Sequence, residues 1–183
     1  MNTGIVFNLD DFCDKFMSLE SLFWMKAKYP GFKVTLFTVP FLTDTDLLRE
    51  LKKTGWMEFA VHGFIHDLSR DVTKFSHGEI VEKLSKIDFQ VYVRGFRPPY
   101  WAINEDVIEA CNKLGMWVAF RDTEKFHMCK HGYYHMQEKG TYWFGHTWRT
   151  WENNWITERL PELLAKWPKD QQFRFVSEAI VKP

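Results

Sequence analysis

The chain has 183 residues, enough for one domain with a single substantial core. Lys plus Arg and Asp plus Glu are both 24, so the formal net charge is zero, which argues against general attraction to nucleic acid or acidic membranes. No apolar run approaches the ~20 residues that span a bilayer, and no basic and apolar leader precedes the first strand, so the expectation is a soluble, cytoplasmic protein.

In chain order, β-like runs are predicted over 5–9, 34–39, 58–61, 91–96, 116–120, 141–144 and 173–176. Helical patterns fall between them at 18–28, 44–54, 78–87, 105–114 and 157–167. Asp44 or Thr45 can cap the second helix, and Asn104 opens the fourth, with Glu105 and Asp106 in its first turn. Gly55 and Gly115 stand where a left-handed residue ends a helix. Strand–helix alternation without a linker or repeat predicts one α/β domain over 1–183, with a parallel sheet covered by helices. Asp10-Asp11, His62, Arg97, Asp122 and His146 all fall at or just beyond predicted strand ends. In a parallel fold those ends converge, and a small or incomplete (β/α) barrel gathers five of them more readily than an open sheet.

Each polar group has a chemical use. Two adjacent carboxylates are costly to pack unless a cation or strong donors compensate. His62 and His66 are four apart, a spacing that lets two rings reach one ion, and Gly63 permits a sharp turn between them. Two imidazoles and one carboxylate make one face of an open divalent metal site, which points to catalysis and leaves the second aspartate as a base. The segment Arg97-Pro98-Pro99-Tyr100-Trp101 must leave its strand as a rigid extended turn. It can hold the Tyr100 N–H toward an oxyanion, while Arg97 keeps a carboxylate ionised. His146, among aromatics, is placed to act as a proton donor.

Of the three cysteines, none lies in a CxxC, and free thiols are expected. His127, Cys129, His131 and His135 match no closed zinc pattern and are expected in a polar loop near the cleft. Nine Trp and seventeen Phe are read as a heavily aromatic core, or for an exposed Trp as a stacking surface for sugars or other flat ligands.

The ordered set resembles the polysaccharide deacetylase (NodB-homology) family of carbohydrate esterases. Its pattern is an Asp-Asp pair after the first strand, an H-x-x-x-H, an Arg-x-Pro-Tyr-like turn, an acidic segment and a late Leu-x-His. Here the counterparts are Asp10-Asp11, His62 and His66, Arg97-Pro98-Pro99-Tyr100, and Phe144-Gly145-His146, with residues 173–181 similar to the closing strand. The resemblance implies a distorted or incomplete barrel and one divalent metal, zinc ahead of cobalt, nickel, manganese or iron. It implies Asp11, His62 and His66 as ligands, Asp10 as base, Arg97 as its orienting partner, His146 as general acid with Asp122 beside it, and Tyr100 as oxyanion donor. The substrate would be an N-acetylated amino sugar or its polymer, contacted by Pro99, Trp101 and Trp148. Phe12 and Gly63 depart from the family's Gly and Ser/Thr, and Phe120-Arg121-Asp122-Thr123-Glu124 only partly matches the acidic segment. The same machinery could cleave a non-sugar amide. A non-haem Fe(II) enzyme shares the His-His-carboxylate set but leaves Asp10, Arg97 and His146 without a task. A non-catalytic carbohydrate-binding relic would have no need of them either.

Overall fold

A computed structural model describes residues 4–14, 19–66, 72–121, 123–135, 142–147 and 167–182. Eight strands form one sheet: β1 (Ile5–Phe12), β2 (Val34–Thr38), β3 (Met57–His62), β4 (Gly95–Arg97), β5 (Trp117–Phe120), β6 (Tyr133–His135), β7 (Tyr142–His146) and β8 (Phe173–Arg174). The path runs β6-β5-β4-β3-β2-β1-β7, with β8 also on β1, and every pairing is parallel. The sheet curls into a half-barrel clad by helices, an incomplete (β/α) barrel.

Alternation along the strands sorts two cores. Phe7, Leu9, Leu36, Phe59, Val61, Phe96, Val118 and Phe120 pack outward against the helices. Val6, Phe37, Ala60, Trp117, Ala119 and Tyr134 point to the interior, where Val176 joins them. Because side chains alternate, the interior face of β1 continues through Asn8 to Asp10, that of β3 to His62, and that of β4 to Arg97. Trp117 lies over Gly95, where an added Cβ would fall 2.1 Å from the indole ring. Aligned C-terminal ends therefore present these polar residues together. The opposite end is closed by residues 171–181: β8 pairs with β1, Val176 N–H donates to Thr35 Oγ1 (2.9 Å), and Val181 bridges to Tyr133.

Among the described residues four α-helices dress the sheet, α1 (Leu19–Lys28), α2 (Thr45–Lys52), α3 (His77–Ser85) and α4 (Glu105–Lys113), each burying two or more apolar side chains. Asp44 caps α2, Ser76 and Glu79 form a capping box on α3, and Asn104 caps α4. Gly55 and Gly115 adopt φ of +75° and +70° just past α2 and α4, as their placement predicts. No helix among the described residues is long and apolar enough to cross a membrane.

Two elements differ from expectation. The run at 91–96 contributes only Gly95–Arg97 to the sheet. Val91 and Tyr92 are buried, but their N–H groups donate to Asp88 O in a turn, and an apolar run does not itself distinguish buried turn from buried strand. The segment expected as a polar loop ends in strand β6, paired with β5 through Val118, Ala119 and Phe120. Its histidines obscure a β-like Tyr133-Tyr134 pair, and Tyr134 is buried inside the barrel. Cys129 is buried while His127 and His131 are exposed, so these residues do not converge. The predicted helix at 157–167 lies, apart from Trp167, outside the described residues.

Candidate active site

Adjacent residues in a strand normally face opposite ways, so two neighbouring carboxylates should not share a cleft. β1 solves this with a bulge. Leu9 pairs with Leu36 and Phe12 with Thr38, which leaves Asp10 and Asp11 opposite Phe37 alone. Asp11 takes φ +64°, and both aspartates are buried at the site. The extra residue also switches the alternation, so that Phe12 returns to the outer core against Phe59. That accounts for a large apolar residue where the resemblance expects glycine.

The two carboxylates have different partners. Asp10 accepts from Arg97 Nη1 at 2.5 Å, and the same nitrogen donates to Asn8 Oδ1 at 2.7 Å. The Arg97 guanidinium is fully buried, with its carbon 3.5 Å from the centre of the Phe37 ring. A buried cation so placed pairs with Asp10 and fixes the orientation of its side chain.

Asp11 faces the histidines: His62 Nε2 lies 3.1 Å and His66 Nε2 2.8 Å from Asp11 Oδ1. The second ring nitrogen of His62, Nδ1, is 3.0 Å from the Arg97 carbonyl oxygen. A carbonyl only accepts, so Nδ1 carries a hydrogen and Nε2 is the atom turned toward Asp11. A carboxylate oxygen this close to two ring nitrogens needs a proton or a cation shared among them. Burial by itself would raise the Asp11 carboxyl, but His62 and His66 more than offset it and hold the group well below the usual carboxylate range. Burial likewise opposes protonation of His66, and Asp11 outweighs it, raising the imidazole above its ordinary value. The donor atoms of Asp11, His62 and His66 lie within 4.8 Å of one another, and a backbone carbonyl orients His62, as is usual for metal-bound imidazoles. The charge balance agrees: Arg97 neutralises one of two buried carboxylates, and a divalent ion would suit the other. The residues fit a metal.

His146 stands opposite Asp10 in the β1–β7 pairing, and its Nε2 is 4.0 Å from Asp11 Oδ2, across the carboxylate from His66. Thr147, which the sequence did not single out, ties this strand end down through its N–H (2.9 Å) and hydroxyl (3.1 Å) on the Asp10 carbonyl. Tyr100 places its hydroxyl 3.3 Å from His66 Nδ1 and is nearly half exposed. Trp101 packs edge-on to Phe144 at 5.5 Å, with the Arg121 guanidinium 4.3 Å from its ring centre. Pro99 is buried, its ring occupying the space where a Gly63 side chain would go. Asp122 and Trp148 lie outside the described residues.

Among the described non-glycine residues, those with positive φ are Asp11, His66, Tyr100 and Trp101, all at this site. Such backbone conformations cost roughly 1–3 kcal/mol each and persist where the surrounding packing enforces them. Here they aim a carboxylate, an imidazole and the turn that follows Arg97 into one cleft.

No family profile matches the sequence, and no curated protein matches it. Solved structures do. The Xyl-CE4 domain of a multidomain xylanase from the hindgut metagenome of Trinervitermes trinervoides superposes with a TM-score of 0.63 at 17% identity, over 95% of this chain and 87% of that one. A family 4 acetyl xylan esterase from Clostridium thermocellum, in complex with a cobalt ion, gives 0.65 at 13% identity over 95% and 88%. This chain has the fold of the family 4 carbohydrate esterases. A pseudoenzyme of that family from Bacillus anthracis has the same fold, with a TM-score of 0.63 at 13% identity over 97% of this chain and 65% of its own. The family 4 fold is thus compatible with loss of activity, and function must be argued from the side chains.

Proposed function

We propose that the protein is a metal-dependent hydrolase that removes an acyl group, N-acetyl in the simplest case, from the nitrogen of an amino sugar or its oligomers. The observation that carries this reading is the separation of roles between two adjacent aspartates: Asp11 shares its oxygen with two imidazole nitrogens, while Asp10 is held by Arg97. Asp11, His62 and His66 would hold the ion, zinc in the first instance. Once bound, a divalent ion supplies Lewis acidity for the carbonyl and makes water easier to deprotonate there.

The remaining work falls to this chain's own groups. Asp10 removes a proton from water as the oxygen joins the carbonyl carbon. The Tyr100 backbone N–H donates to the oxygen that gains charge. The C–N bond breaks, and His146 gives its proton to the departing nitrogen. The products are a carboxylic acid and a free amine. Arg97 pairs with Asp10 and orients it, with Asn8 sharing its guanidinium. Trp101 offers a ring at the cleft for a sugar. The cobalt-bound acetyl xylan esterase of the same fold supports metal-assisted removal of an acyl group from a carbohydrate. Retention of ligands, base and acid together argues against a silent relic.

The test is metal analysis with assay of acetate release from N-acetylated glucosamine oligomers. Chelated protein should be inactive and recover on addition of zinc or cobalt. Asp11→Asn should lose most bound metal. Asp10→Asn should keep it, with kcat lowered about 10²–10⁴-fold, the usual contribution of a positioned base. The opposite pattern in the two variants would reverse the roles, and full activity after chelation would refute the proposal.

A further inference from the structure

A cavity of about 330 Å³ opens beside the metal centre. Among the described residues its lining is Asp11, His66 and Tyr100, with Cys13, Val39, Leu42 and Ile65 as the wall beside them. A bare acetyl group presents one methyl, about the size of one water molecule, whereas this space would hold on the order of ten waters. The four wall side chains offer a sugar nothing to replace the hydrogen bonds its hydroxyls make with water, and burying unpaired hydroxyls is unfavourable.

The position of the cavity shows which part of a substrate would enter it. His146 lies toward Asp11 Oδ2, whereas His66 lies on Oδ1, and His146 does not line the cavity. The leaving nitrogen must point to its proton donor. The acyl carbon chain, on the other side of the carbonyl, then points to the His66 and Tyr100 side, where the apolar wall begins. We propose that this cavity is an acyl-chain pocket and that the preferred substrate carries an unbranched acyl group longer than acetyl, of up to roughly ten carbons by volume. The inference rests on the deacylase reading of the same site. Phe41, beside Leu42 at the rim, extends the apolar surface by stacking on Phe64 at 6.0 Å.

The experiment uses the metal-loaded protein and glucosamine N-acylated with acetyl, butyryl, hexanoyl or octanoyl. The expected result is kcat/KM rising about fourfold per added methylene until the cavity is filled, from the transfer free energy of one buried CH₂. Leu42→Trp places an indole in the cavity from a half-exposed position and should bring the hexanoyl-to-acetyl ratio down toward one. An independent readout is titration of hexanoate against acetate, followed by methyl NMR of Leu42 and Ile65. Hexanoate alone should perturb both. If acetyl substrate turns over while the series is flat or falls with length, the acyl pocket is refuted and the deacylase reading stands. If no member of the series is hydrolysed, the deacylase reading fails; the hexanoate titration then decides the pocket, and absence of shifts overturns it.

Discussion

Gly63 is where the fold and the site constrain each other most tightly, and replacing it with alanine tests that coupling. It has φ +62°, and an added Cβ would lie 2.4 Å from Pro99 Cγ and 2.9 Å from Cδ. The left-handed conformation costs an alanine roughly 1–2 kcal/mol, and overpacking against a well-packed ring adds about 1–3 kcal/mol. Gly63→Ala should therefore destabilise by about 2–5 kcal/mol in total, a large part of a typical domain's stability. Pro99→Ala removes Cγ and Cδ and leaves only a Cβ contact at 3.9 Å. In that background Gly63→Ala should cost only the conformational share, about 1–2 kcal/mol. The cycle should thus show a coupling of about 1–3 kcal/mol. Urea unfolding of all four proteins with chelator present measures it free of metal linkage. A metal titration reads the functional side, since His62 adjoins Gly63 and weaker binding is expected for the single variant. Equal cost of Gly63→Ala in both backgrounds would refute the argument that Pro99 occupies the side-chain space of Gly63.

His146→Gln should slow amide cleavage strongly and an activated ester much less, because a good leaving group needs little protonation; parallel competition assays on both substrates check this, and equal losses would remove His146 as leaving-group acid. At the far end of the barrel, Glu58 is buried, accepting from Thr35 Oγ1 and from the Ser177 hydroxyl, and its carboxyl is raised above 4.5 by burial, with those hydrogen bonds offsetting part of the rise. A raised folded-state acid contributes stability that is full below the unfolded value and is lost as pH climbs through the folded one. Glu58→Gln should therefore gain on wild type between pH 4 and pH 7 in denaturant unfolding, and a difference independent of pH would contradict the burial argument.

Much of the architecture was legible because parallel strands put their C-terminal ends together. Reading Asp10, His62, Arg97 and His146 at strand ends was enough to expect them near one another, and the structure brings them to one end of the half-barrel. The bulge was not legible. In sequence, Asp10-Asp11 reads as two acids closing a strand, and only the offset pairing with β2 explains how neighbours face one cleft. β6 was hidden because one turn of exposed histidines precedes a strand of three residues, too short to show alternation. Glu58 was missed as a buried acid because its partners, Thr35 and Ser177, are distant in sequence.

Two of the departures from the family pattern, Phe12 and Gly63, have a common physical origin in the backbone. A glycine after the Asp pair would leave the outer core without the ring that meets Phe59; with the alternation already switched by the bulge, a large apolar residue fits that position. A side chain at Gly63 would collide with Pro99, so the serine or threonine expected there is exchanged for close packing between the histidine turn and the Pro-Pro turn. That packing joins the segment carrying His62 and His66 to the segment carrying Arg97 and Tyr100. The orienting partner of Asp10 and the histidines beside Asp11 thus sit on segments packed directly against each other.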